Sequence, residues 1–370
     1  MSLSDIEAMQ RAIELAKAGI YSAQPNPRVG CVLVKDGEIV GEGAHLKPGE
    51  LHAERNALLA AGDKAKGATA YVTLEPCCHW GRTPPCCDAL IESQVACVFV
   101  AMVDPNPQVA GKGIEILRTA DICVEVGLLE QQARDLNPGF IACMSEGRPY
   151  VRAKLAMSLD GKTAMADGES QWITTADARQ DVQRWRARSC AVITGSGTVI
   201  ADDPSLNVRW QEWDYQYKPE SSRQRQPRRV IVDSKAQCKS AIKMLTLEGE
   251  TWLATLSQDS EKQEQWQQAG GHWHLAEENN GKVALDALVQ ALGTDCNEIL
   301  VEAGPELIGA FAEQDLIDEY LIYVAPKFLG ADARSLLDLP QIKRLADHKS
   351  VDFIYISRVG DDLLIRATAR

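Results

Sequence analysis

Two α/β domains in tandem are what this sequence predicts, on three observations. The chain has 370 residues, more than the roughly 250–300 at which a single hydrophobic core stops growing. Both halves alternate short apolar runs with amphipathic stretches, the pattern of sheets covered by helices. Between them Met144 to Pro149 (MSEGRP) is a polar, turn-forming break. It sets domains of residues 1–147 and 148–370.

The first helix is punctuated at both ends. Ser4 and Glu7 form an S-x-x-E capping box, Ile6, Met9, Ile13 and Ala16 share a face, and Gly19 closes the run. Val29 to Lys35 and Glu38 to Gly43 flank Asp36-Gly37, a signal for a tight hairpin. His52 to Ala61 reads as a helix ended by Gly62, Ala68 to Leu74 as a strand, and Pro85 to Ser93 as a helix after a Cys-rich loop. Val95 to Val103 and Ile122 to Val126 are strands with a helical stretch between them. In the second half Tyr150 to Ala156, Ala191 to Thr194, Arg229 to Val232, Trp252 to Thr255, Glu298 to Glu302 and Glu319 to Val324 are strands. Thr175 to Ala187 and Pro305 to Gln314 are helices, and 209–228 reads as a surface loop or insertion.

Apolar residues make up 45% and charged residues 25%, as in an ordinary globular protein rather than a disordered one. No run of about 18 apolar residues marks a membrane span, and the N-terminus lacks the apolar core of a secretory signal. A cytoplasmic protein is expected. The net charge of −13 divides into −7 for residues 1–147 and −6 for 148–370. Neither half has the cationic excess a phosphate backbone demands, which argues against a nucleic-acid partner. The same acidity makes the arginines among 223–229 a solvated loop. Eleven cysteines, an odd number without an export signal, read as reduced thiols.

His52-Ala53-Glu54 opens a helix, Pro76-Cys77 follows a strand, and Cys86 begins another helix. This is the H-x-E … P-C … C pattern of zinc-dependent deaminases. Three ligands, His52, Cys77 and Cys86, leave a fourth position for water, whose pKa zinc lowers towards about 7. Glu54 is the proton shuttle rather than a ligand. The bland alternative is a closed structural site using Cys78, His79 or Cys87. His272 and His274 share one face of a strand, which is weak ground for a second metal.

Eight residues, CHWGRTPP, separate Cys77 from Cys86, where the general pattern has two. At this point PNPRVGCVLV, HAERNAL and TLEPCCHWGRTPPC resemble the pyrimidine deaminase half of the bifunctional deaminase/reductase family of riboflavin biosynthesis. VRAKLAMSLDGKTAMADGESQWIT, ITGSGTVIADDPSLNVR and LVEAGPELIGAF resemble its reductase half. The resemblance covers nearly the whole chain, and is weakest across 209–228 and 256–285. It implies a cytidine-deaminase-like three-layer domain followed by a dihydrofolate-reductase-like domain. It implies zinc-dependent deamination of 2,5-diamino-6-ribosylamino-4(3H)-pyrimidinone 5′-phosphate, then NADPH-dependent reduction of the ribosyl to the ribityl side chain. A nucleoside or nucleic-acid deaminase fused to an unrelated reductase is the alternative.

By the same resemblance Asn26 and His45 line the pyrimidine pocket and Arg82 holds the substrate phosphate. NADPH meets Ala156, Trp172, Thr198, Asp202, Ser234 and the turn of Gly304, Pro305, Glu306, Leu307, Ile308, Gly309 and Ala310. Substrate in the second domain meets Ser170, Arg186, Leu206, Arg209 and Glu302, with the arginines and serine on its phosphate. Core packing is the other use of Trp172. Physical chemistry adds partial support: strand, Gly304, then Pro305 at a helix start make an anion site for a pyrophosphate, and no G-x-G-x-x-G is present. A small-molecule pyrimidine ribosyl phosphate and further copies of the chain, in a homo-oligomer such as a dimer, are the expected partners.

Overall fold

A computed structural model describes residues 3–81 and 84–370. The chain divides into two compact units, residues 1–148 with 213–224, and residues 149–212 with 225–370. The segment 213–224, expected as part of a surface loop of the second half, packs within the first unit: the Trp213 and Tyr21 rings meet edge to face at 4.8 Å, and Tyr217 hydrogen-bonds to Glu14.

The first unit opens with α1 (Asp5–Ala16), whose capping box closes as read: Glu7 N donates to Ser4 Oγ, and Ser4 N donates to the Glu7 carboxylate. The elements β1 (Gly30–Lys35), β2 (Glu38–Ala44), α2 (Ala53–Ala61), β3 (Thr69–Val72), α3 (Cys86–Glu92), β4 (Cys97–Val100), α4 (Lys112–Thr119) and β5 (Cys123–Val126) follow. Then α5 (Glu130–Leu136) and α6 (Pro138–Glu146) complete it. The sheet order is β2-β1-β3-β4-β5, antiparallel around β1 and parallel from β3 onward. Helices pack closely on it because small residues face one another. A side chain at Gly41 or Gly43 would strike the Ala57 or Ala53 carbonyl of α2 at 2.3 or 2.2 Å. That contact sets the depth of α2, and with it the position of His52.

The second unit holds β6 (Tyr150–Ser158), β7 (Lys162–Ala164), α7 (Ala176–Arg188), β8 (Ala191–Gly195), α8 (Ser196–Asp202), β9 (Arg228–Val232), β10 (Thr251–Thr255), α9 (Ser260–Gln268) and β11 (His272–Leu275). It continues through the short pair β12 (Glu278–Asn279) and β13 (Lys282–Val283), α10 (Leu285–Leu292), β14 (Glu298–Val301), α11 (Pro305–Glu313) and β15 (Glu319–Ala325). The last strands are β16 (Arg334–Ser335), paired with β7, and the hairpin β17 (Val351–Val359) and β18 (Asp362–Ala369). A nine-stranded sheet runs β11-β10-β9-β8-β14-β6-β15-β18-β17, parallel through β15 and antiparallel after it. The parallel strands are near-continuous apolar runs because helices cover both faces. Arg152 is buried among them, neutralised by Glu298 at 2.5 Å and Glu319 at 2.7 Å. Among the described residues no helix is long and apolar enough to cross a membrane.

Candidate active sites

In the first unit two helix starts and one loop converge. His52 is the N-cap of α2 in extended conformation, but its ring does not cap the helix. Instead His52 Nδ1 lies 3.5 Å from Cys77 Sγ and 3.4 Å from Cys86 Sγ. All three potential donor atoms fall within 4.8 Å of one another. Pro85 holds the entry to α3, and the amides of Cys86 and Cys87 donate to the Cys77 carbonyl at 3.0 and 3.2 Å. Cys86 N also donates to Cys77 Sγ at 3.3 Å. Hydrogen bonding from Cys86, reinforced by His52, lowers the pKa of the Cys77 thiol and favours its thiolate form. The neighbouring Cys86 thiol is raised by that same hydrogen bond and by burial, so the pair shares its proton. One imidazole and two cysteine sulfurs are the donor set that zinc prefers, and the residues fit it.

Glu54 lies in the first turn of α2 and is 4% exposed. Burial, and then the Cys77 sulfur, raise its carboxyl to about 7. Cys78 and Cys87 stay outside the donor cluster, and buried Cys87 donates to the Pro76 carbonyl at 3.3 Å. His45 is almost wholly buried, its ring edge-on to His52 at 5.2 Å. Its Nδ1 meets the Leu51 carbonyl at 3.1 Å, and its Nε2 meets Asn26 Nδ2 at 3.0 Å. A carbonyl only accepts, so Nδ1 carries the proton and Nε2 accepts from the Asn26 amide. Burial lowers the His45 pKa, in keeping with that neutral ring. Arg82 lies outside the described residues.

Glu75 is a residue that motif reasoning passed over. Its buried carboxylate accepts from the backbone amides of Asp104 (3.1 Å), Gly111 (2.9 Å), Gly113 (2.9 Å) and Ile114 (3.3 Å). A side chain at Gly113 would strike the Pro76 carbonyl at 2.3 Å. The start of α4 is thereby fixed against the segment that delivers Cys77. An acid directly before Pro76-Cys77 was the available signal.

In the second unit the named residues gather after the C-terminal ends of parallel strands. Thr198 and Asp202 lie on α8 after β8, Ser234 follows β9, and Glu302 and Gly304 follow β14. Such an edge is where open α/β sheets bind ligands. Helix α11 has no side-chain cap, and a Cβ at Gly304 would meet only Thr198 Oγ1, at 4.0 Å. The uncapped amides with open space before them fit a pyrophosphate. The rest of that turn is divided: Ile308 is buried in the core, and Gly309 lies under the Asp338 carbonyl. Trp172 is 61% exposed beneath the Arg179 guanidinium, so it is not core. Ala156 sits on β6, and Ser234 Oγ accepts from Val283 N at 3.1 Å.

The sequence reading set Arg186 and Arg209 together on a phosphate. The structure instead joins Arg186 to Glu302 through two hydrogen bonds, 2.6 and 2.9 Å. Exposed Arg209 pairs with Glu212 at 2.6 Å. Ser170 is half-buried, and Leu206 is buried with a positive φ of 46°. Burial pushes the Glu302 carboxyl up, but Arg186 and Lys154 outweigh it and hold it ionised. Lys154, on β6 and missed in the sequence, has its own pKa lowered by burial. His272 and His274 stack on Trp252, with centroids at 4.3 and 5.6 Å, an aromatic ladder.

Residues 3–102 match the family model of the cytidine and deoxycytidylate deaminase zinc-binding region, and residues 149–365 match the RibD C-terminal domain. The chain is 50% identical over 366 residues to riboflavin biosynthesis protein RibD of Escherichia coli, covering 98% of this chain and 99% of that one. It is 49% identical to the Haemophilus influenzae RibD, covering 100% and 98%. The structure of Acinetobacter baumannii RibD superposes with a TM-score of 0.90 at 45% identity, over 99% of each chain. A Thermotoga maritima diaminohydroxyphosphoribosylaminopyrimidine deaminase/5-amino-6-(5-phosphoribosylamino)uracil reductase superposes at 0.87 and 32%, again over 99% of each.

Proposed function

This chain belongs to the RibD family of riboflavin biosynthesis, and from that premise we propose that residues 1–147 carry its deaminase and residues 148–370 its reductase. The protein is a bifunctional enzyme, a zinc-dependent deaminase joined to an NADPH-dependent reductase. Its substrate is 2,5-diamino-6-ribosylamino-4(3H)-pyrimidinone 5′-phosphate, and the second step reduces the ribosyl to the ribityl side chain.

The observation that carries the assignment is the convergence of His52, Cys77 and Cys86 beside buried Glu54. Zinc held there supplies the Lewis acidity that makes water a nucleophile near neutral pH. Glu54, buried beside that donor set, would act as the proton shuttle, taking a proton from the attacking water and delivering it to the ring nitrogen and the departing amine. Asn26 and neutral His45 orient the pyrimidine, and Arg82 neutralises its phosphate.

NADPH bound in the second domain would supply the hydride that reduces C1′ of the ring-opened imine. The start of α11 at Gly304 and Pro305 holds the pyrophosphate, with Thr198 beside it. Trp172, Ala156, Asp202 and Ser234, with Glu306, Leu307, Ile308, Gly309 and Ala310 behind the turn, complete the cofactor side. Arg186 fixes Glu302 against the sugar, Ser170, Leu206 and Arg209 flank it, and Lys154, a buried cation beside Glu302, supplies the proton. Incubating zinc-loaded enzyme with the diaminopyrimidine phosphate tests both halves. The deaminated ribosyl compound is expected without NADPH, and the ribityl compound with it; no loss of the amino group would overturn the reading.

We further propose a cytoplasmic homodimer. No disulfide joins the described cysteines. At the sheet edge, Phe353, Ile354, Tyr355 and Ile356 of β17 are all more than half exposed, an unpaired apolar edge that a second copy would cover. Sedimentation of Ile356→Lys should show a monomer if β17 is the interface.

A further inference from the structure

The ends of β8 and β14 opposite to Glu302 and Gly304 bring two cysteines together. Cys190 immediately precedes β8, Cys296 lies two residues before β14, and these parallel strands are neighbours. Cys190 N donates to the Glu298 carbonyl at 2.8 Å, and Asn297 N donates to Cys190 Sγ at 3.4 Å. Cys296 Sγ donates to the same Glu298 carbonyl at 3.4 Å. Cys190 Sγ also donates to Asn297 Oδ1 at 3.5 Å, and the two sulfurs are close enough to influence each other's ionisation. Both line a cavity of about 270 Å³ with Gln226, Arg228, Gly249 and Asp295. Cys190 is partly exposed, Cys296 only 2% exposed, and Glu248 and Glu250 complete the lining; the more open sulfur is the one a small molecule can meet.

Their surroundings differ in a way that suits exchange chemistry. Arg225 is anchored on the carbonyls of Ser189 (2.8 Å) and Ala187 (2.9 Å) and faces the pair. Burial raises the Cys190 thiol, yet the hydrogen bond with Cys296 and the Arg225 charge outweigh it and lower its pKa. Burial raises Cys296. One sulfur is thus prepared to attack and its neighbour to resolve. Cys97 and Cys123 offer an internal contrast. They are cross-strand partners on β4 and β5, but no cation among the described residues is set against them and burial, then Cys123, raises Cys97.

We propose that Cys190 and Cys296 form a reversible thiol–disulfide site that reacts with small disulfides of the glutathione class. The Cys190 sulfur attacks one sulfur of the small disulfide, whose S–S bond breaks, and one small thiol leaves with the Cys190 proton. The Cys296 sulfur then attacks Cys190 in the mixed disulfide, and the second small thiol leaves with the Cys296 proton. Two protein thiols are oxidised to one disulfide, and one small disulfide is reduced to two thiols. The new bond ties the starts of β8 and β14, whose far ends lead to Thr198 and Glu302.

The test uses the full-length, zinc-loaded enzyme, so that Cys77 and Cys86 are occupied. It is treated with glutathione disulfide, its remaining thiols are alkylated, and it is mapped by non-reducing peptide mass spectrometry. The expected principal product is the linked Cys190–Cys296 peptide pair, lost again on treatment with dithiothreitol. Cys296→Ser should trap glutathione on Cys190, and Cys190→Ser should leave Cys296 reduced. The proposal is overturned if both cysteines of the wild type are alkylated after treatment. A stable glutathione adduct on wild-type Cys190, or a Cys97–Cys123 link formed in preference, overturns it too. Should a serine variant not fold, the wild-type map decides alone.

Discussion

Glu54 is 4% exposed behind two helix starts, whereas Arg209 stands after a loop with 41% of its side chain in solvent. The two sites differ throughout in this way. The first is assembled from the beginnings of α2 and α3 and the loop before Cys86, each fixed by backbone contacts: Gly43 against α2, Glu75 against α4, and Cys77 against α3. The second gathers residues from the ends of several parallel strands, and its ionic groups partner one another, as Arg186 does with Glu302. Water activation requires donors already converged, because a displaced ligand loses the metal. A dinucleotide instead spreads its binding over many separately modest contacts. The first site should therefore fail abruptly on substitution and the second by degrees.

The largest effect belongs to Cys86→Ser. Zinc should be lost and deamination fall to background, while Cys87→Ser keeps its metal; metal analysis with an amine-release assay separates the two. Glu54→Gln should come next, with zinc retained and deamination down about 10²- to 10⁴-fold, the range for a positioned proton shuttle. Reduction of the deaminated substrate should continue in that variant, and a parallel loss would erase the contrast between the sites. For Gly304→Val the expected rise in NADPH Kd is roughly ten- to a hundredfold, the loss of one or two charge-assisted contacts. The protein itself offers the new side chain open space, so an unchanged Kd by titration would move the pyrophosphate elsewhere. Arg209→Ala should be mildest, about tenfold or less in reductase kcat/KM, since the exposed guanidinium is already paired with Glu212.

What could be read from the sequence follows the same division. His52, Glu54, Cys77 and Cys86 sit in short local patterns whose chemistry requires those residue types, and the Ser4 cap and the Asp36-Gly37 hairpin are equally local. Apart from the Gly304-Pro305 helix start, the proposed cofactor contacts were reachable only through family resemblance, because no periodicity links Ala156 to Ser234. Pairing across long separations was not legible: Arg186 with Glu302 lies 116 residues apart, and nothing near Arg186 announces that partner. The hairpin of β17 and β18 escaped because β17 is exposed almost throughout and so lacks a buried alternating face. Helices α5 and α6 were passed over as well, α6 starting at Pro138 only two residues after α5 ends.

The return of residues 213–224 to the first unit has a consequence in time. A chain emerging from the ribosome presents residues 1–148 long before Trp213 and Tyr217 exist to meet Tyr21 and Glu14. At about 5–20 residues per second, the interval between residue 148 and residue 224 is roughly 4–15 s. Throughout it Tyr21 waits without its aromatic partner, and the second unit is begun before the first is finished. Birth order and domain order therefore part company in this polypeptide, and a messenger truncated after codon 148 would yield a deaminase fold missing its last piece.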